Sequence, residues 1–218
     1  DAGMLTLGAI TGATRDLALG GAGGITITGD VGITSATLTK DGGGTAILSG
    51  TNSYTGATII QAGTLQAGAA AGERAFGTLS AVTLADVAGA TLDLNGFSQT
   101  IGSLSGGGAT GGNVTLGSAT LTSGGNAAST TFGGATSGTG ALLKVGAGTQ
   151  ILAGTSTYSG GTTISAGTLQ LGDGGETGSI VGPVLNNAAL VLNRSNELNL
   201  AGPISGSGSL TQAGSGTT

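Results

Sequence analysis

Cysteine, histidine and tryptophan are absent from this chain of 218 residues. Without cysteine there is no disulfide and no thiolate metal site. Without histidine the commonest side-chain ligand and general base near neutral pH are lost together. Charged residues make up 7% of the chain and aromatic residues 2%. Phosphate recognition needs clustered Lys and Arg. Here Arg15, Lys40, Arg74, Lys144 and Arg194 stand singly in a chain of net charge −5, so no nucleic-acid partner is expected. No apolar run approaches the ~20 residues of a membrane helix, so direct membrane insertion is not expected. With only two prolines and no G-X-Y period, the 49 glycines do not indicate collagen. Low charge also separates the chain from ordinary disordered sequences.

What is present is a series of short alternating runs rich in Thr, Ile, Val and Leu: LTL, ITIT, AILSG, TIIQAG, VTL, TLDL and LVL. Such runs read as strands, and the Gly, Asn, Ser and Asp clusters between them read as turns. No window shows a helical period. A core nearly devoid of rings must be filled by Leu, Ile, Val, Ala and Thr. That suits a narrow interior better than a sandwich, whose sheets lie about 10 Å apart over large side chains.

A 31-residue segment occurs twice. The first copy is LTKDGGGTAILSGTNSYTGATIIQAGTLQAG (38–68) and the second is LLKVGAGTQILAGTSTYSGGTTISAGTLQLG (142–172). Without gaps, 19 of the 31 positions are identical. A third copy begins at Leu210 (LTQAGSGTT, 210–218), so the chain is expected to be cut within a repeat of a longer protein. Asp1 opens directly into the repetitive body, so any export leader is expected to have been removed or to lie outside this sequence. Repetition of this kind means stacked units sharing one continuous core. The expected architecture is all-β: one elongated β-solenoid across residues 1–218, with three short strands and glycine corners per turn. A coil of ~20–25 residues stacked ~4.8 Å above the next gives parallel pairing and nine or ten coils. Leu48, Ile60 and Leu65 are expected to face inward, with Leu152, Ile164 and Leu169 as their equivalents. Gly63 and Gly167 are read as corners needing positive φ or close backbone approach. Residues 69–79 break the pattern and read as a protruding loop with one short helical turn.

The two copies resemble the autotransporter-associated β-strand repeat, also called the passenger-associated transport repeat, of bacterial type V secretion passengers. The resemblance covers both 31-residue copies and, in part, the last nine residues. It implies a right-handed parallel β-helix, exported through the periplasm and outer membrane to the cell surface or beyond. Its partner would be a C-terminal outer-membrane β-barrel of the same precursor, which this sequence does not contain. The expected role is a structural stalk in an adhesin-like surface protein, with repeats that aid folding and export. The alternatives are a module binding a glycan or host protein, and a polysaccharide-cleaving β-helix enzyme. The composition agrees with export, since without disulfides and with few bulky rings and few charges little obstructs passage.

Several residues invite chemical readings. Tyr54 and Tyr158 share one repeat position; either they stack on sugars or they pack over the turn, and the second reading is taken because they belong to the motif. Asp173 and Glu176 in DGGE suggest calcium, but no regular Asp-containing nonapeptide accompanies them, and a solvated turn is expected. Asp86 and Asp93 are candidates for an acid/base pair. Gly106–Gly111 formally fits GxGxxG but no helix follows. Asn113 and Asn193 open acceptor sequons to which no role is given. Thr26-Ile27-Thr28 resembles one rung of an ice-binding row that is not sustained. Ser and Thr are abundant, with no base to activate them. No catalytic, cofactor-binding or metal residue is assigned, and no enzyme activity is expected.

Overall fold

The computed structural model describes residues 3–68 and 74–218. Among them there is no helix, and hence none long and apolar enough to cross a membrane. Every strand pairing is parallel. A ten-stranded sheet runs from Leu17–Leu19 to Ser209–Gln212, and a seven-stranded sheet from Leu5–Leu7 to Thr136–Ser137. The third side begins with the pair Ile10–Thr11 and Val31–Gly32 and resumes as a six-stranded sheet from Gln99–Ile101 to Ile204–Ser205. These sides wind into a parallel β-helix of about ten turns. One turn takes from 19 residues (Thr45 to Thr64) to 27 (Leu65 to Leu92).

The interior follows from alternation. In Thr45–Leu48 and Thr64–Ala67 every second residue is buried. Leu65, Leu92 and Val114 stack along one inner row, each fully buried above the last. The expected inward residues Leu48, Ile60, Leu65, Leu152, Ile164 and Leu169 are all buried. Small β-branched and aliphatic side chains suffice because each rung needs to cover only its neighbours.

Where the third side has no strand, side-chain amides continue the ladder. Asn52 Oδ1 accepts from Val31 N (2.7 Å) below, and Asn52 Nδ2 donates to Ala75 O (2.7 Å) above. Gln99 Oε1 then accepts from Ala75 N (2.8 Å). Of the segment 69–79, read as a protruding loop with a helical turn, residues 69–73 lie outside the described residues. Of the rest, Arg74 and Leu79 are exposed and Thr78 is half-buried, but Ala75, Phe76 and Gly77 are buried, Phe76 within the core, which corrects the reading at those three residues. A ring takes the space that a strand would otherwise fill.

A second correction concerns the repeat itself. Three strands per turn was expected, but the successive strands Thr45–Leu48, Thr58–Ile60 and Thr64–Ala67 of the repeat belong to two turns. Thr64–Ala67 pairs with Thr45–Leu48 in the seven-stranded sheet, and Thr58–Ile60 pairs with Leu38–Lys40 in the ten-stranded sheet. One repeat therefore holds two successive rungs on two sides, and its Tyr54 turn occupies the third.

Candidate functional site

Two places where the copies make equivalent bonds are a lysine-filled corner and a tyrosine-filled turn. Lys40 and Lys144 end inward-facing strands, and each is almost wholly buried. The Lys144 ammonium donates to the carbonyls of Val145 (2.7 Å), Gly146 (2.8 Å) and Ala166 (3.2 Å). Lys40 donates to Gly42 O and to Ala62 O (3.1 Å). Gly42 and Gly146 are equivalent, as are Ala62 and Ala166. Burial pulls both lysines below their ordinary pKa, and for Lys40 the neighbouring Asp41 pulls back upward. The next residues, Gly63 and Gly167, have φ of 66° and 69°. A Cβ there would lie 2.3 Å from Gly42 O or 2.4 Å from Gly146 O, so only glycine fits. These lysines went unassigned from sequence, although two of only five basic residues share one repeat position.

The turn is filled from inside. Tyr54 and Tyr158 are buried, and their hydroxyls bond Thr58 Oγ1 (2.9 Å) and Thr162 Oγ1 (2.7 Å). Burial pushes both phenols well above the ordinary tyrosine range, against the opposing effect of the threonine bond. Neither ring is available to stack on a sugar, so the packing reading holds. In the first copy the chain of hydroxyls runs on from Thr58 to Ser80 Oγ (2.8 Å) and then to Gly56 O (2.7 Å).

The carboxylates are spent on the backbone and on amides. Asp86 Oδ1 accepts from Thr110 N (2.8 Å) and Gly111 N (2.9 Å), closing the glycine-rich loop 106–111. Asp93 accepts from Gln66 Nε2 (2.7 Å) and Asn95 N (2.8 Å). The two acids thus serve different turns. Asp173 and Glu176 lie on an exposed turn tied down by Arg194, whose Nη2 donates to Glu176 O (2.6 Å). Among the described residues no three acidic side chains gather as for a metal ion. Asn113 Oδ1 accepts from Ala135 N (2.8 Å), and Asn193 O accepts from Gly174 N (2.8 Å). The Thr26 row passes to Ile47 and then Gln66, so it is not a threonine ladder. A shallow groove of about 350 Å³, lined by Gly108, Ala109, Asn113, Ala135, Gly154 and Thr155 among others, presents no charged or aromatic side chain.

Parallel coils with stacked glycine corners define the class, a parallel β-solenoid. The family model of the passenger-associated-transport-repeat matches residues 38–67 and 142–171. The chain is 42% identical over 121 residues to a protein named "Adhesin BmaC autotransporter" from Brucella suis biovar 1 (strain 1330). That alignment covers 55% of this chain and 3% of the relative, so the chain spans only a small part of that protein's length. No solved structure matches. The chain is a β-helix carrying two passenger-associated transport repeats, of the kind found in autotransporter passengers.

Proposed function

We propose that this chain is a stalk segment of an adhesin-like autotransporter passenger, part of one longer β-helix, whose repeats help the passenger fold as it leaves the cell. The observation that carries this reading is the self-pairing of each repeat: strands 38–40 and 58–60, and strands 45–48 and 64–67, close two rungs within a single 31-residue segment. In a solenoid the free energy of a new coil comes largely from a formed neighbour. A segment that brings its own neighbour is a place to start. Loop length decides little here. Between the shortest and longest turns, closure entropy differs by only about 0.3 kcal/mol. The contacts inside the repeat therefore matter more than its compactness.

In this reading the chain is not an enzyme. It is displayed at the cell surface or released beyond it, after passage through an outer-membrane β-barrel of the same precursor. The C-terminal part emerges first and templates the coils behind it, and stacking draws the chain outward without ATP. The name of the Brucella relative supports an adhesin-like role. The test uses the full-length protein in its own cells. Scrambling 142–172 should lower surface display, read by protease accessibility on intact cells, more than the same change at 38–68. Equal display from both variants would leave the repeats as plain stalk.

A further inference from the structure

The side-chain donor and the carbonyls of the lysine corner lie within each transport repeat. Lys40 reaches one carbonyl in its own corner, Gly42, and one a full turn later, Ala62. Lys144 does the same with Gly146 and Ala166. Among the described residues no other donor bonds the carbonyls of Gly42, Ala62, Val145, Gly146 or Ala166. Each ammonium is thus the protein's own donor between two stacked corners whose glycines leave no room for a side chain.

The surroundings of the two lysines differ while this geometry does not. Lys40 is followed by Asp41 and Lys144 by Val145. Lys40 stands over Leu19 in the ladder, and Lys144 over Ser123, whose buried hydroxyl has no partner among the described residues. A charge partner is therefore not what sets the position. The third copy points the same way: Gln212 occupies the lysine's place, and its neutral Nε2 donates to Gly214 O (3.2 Å) and Gly216 O (3.0 Å).

We infer that Lys40 and Lys144 are the positioning residues that lock corner on corner in each transport repeat, and that the position requires a donor reaching the corner carbonyls rather than a positive charge. The lock couples one rung to the next and does not depend on where the protein is displayed. A long aliphatic stem carries the donor through the apolar interior, which explains a lysine in a chain otherwise poor in basic residues. Losing the donor leaves part-buried carbonyls without their protein partner.

The test is residue-resolved amide hydrogen exchange on the 218-residue chain with Lys144→Met and Lys144→Gln. The methionine variant keeps the stem and removes the donor. Exchange at the amides of Ser165 and Gly172 should rise at least tenfold in Lys144→Met and stay within threefold of wild type in Lys144→Gln, with 38–68 unchanged in both. Folding of the glutamine variant alone would equally support the donor requirement. Wild-type protection in Lys144→Met would overturn the inference. So would equal loss in the two variants, or failure of both to fold, since either means that charge or the lysine stem is needed. Lys40→Met and Lys40→Gln should repeat the pattern within 38–68.

Discussion

The two transport repeats share 19 of 31 residues yet sit on different sides of the helix. Leu38–Lys40 lies in the ten-stranded sheet and Ala141–Lys144 in the six-stranded one. Register carries Lys40 through Ile60, Leu84 and Gly106 to Phe132. Lys144 comes 12 residues after Phe132, two sides further round. The tyrosine turn follows suit: in the first copy it completes the third side, and in the second it stacks on Thr136–Ser137 of the seven-stranded side, where Thr157 N donates to Thr136 O (2.8 Å). A repeat can be turned about the axis in this way only if its defining contacts are internal. The lysine corner, the glycine above it and the tyrosine–threonine bond meet that condition.

Two buried positions that differ between the copies face neighbouring coils. Asn52 bonds the rungs above and below, whereas its equivalent Ser156 accepts from Thr136 N alone (3.2 Å). Ala46 is small and buried. Its equivalent Gln150 is buried too, and its Nε2 donates to Leu104 O (3.2 Å), two rungs back. The motif thus keeps its lysine corner and tyrosine turn, and these two buried positions fit it to the coils that surround it.

The comparison is open to direct attack. The largest effect should come from Ile60→Ala and Ile164→Ala, because both residues are completely buried. Each should lose about 2–5 kcal/mol in denaturant unfolding, since a cavity is left in the stack. Equal losses would support equivalent cores on different sides, and a marked inequality would break the equivalence. A smaller effect should separate the tyrosines. In Tyr158→Phe the Thr162 hydroxyl loses its partner, at a cost of about 1–2 kcal/mol. Tyr54→Phe leaves Thr58 still bonded to Ser80 and should cost less, about 0.5–1 kcal/mol. The reverse order would mean that the Ser80 network adds nothing.

The smallest effect is on pH dependence. Unfolded lysines keep their protons to about pH 10.4, whereas burial makes the folded ones yield theirs earlier. In that interval the unfolded chain binds more protons, so stability rises with pH. The buried tyrosines act oppositely above about pH 10, where unfolded phenols ionise first. The denaturation midpoint should therefore climb as the pH approaches about 10 and then turn down. Lys144→Gln should remove more of the climb than Lys40→Gln, because Asp41 offsets part of the shift at Lys40. A flat midpoint across that range would mean that both lysines carry their charge as easily as in water.

Much of this was legible in the chain alone. Alternation placed Leu48, Ile60 and Leu65 inward, and repetition implied stacked coils, because a strand's side chains switch face with every residue whatever lies around it. Gly63 and Gly167 were readable as corners because only glycine suits such a backbone. Three things were not. That one repeat spans two rungs, that its two copies face different sides, and that Phe76 fills a gap in the core all depend on how many residues each turn consumes. That number is set by loops whose sequences carry no period. The lysine lock was hidden for a related reason. Its partners are backbone carbonyls, which every residue possesses, and only the stacking of one corner on the next decides which of them an ammonium can reach.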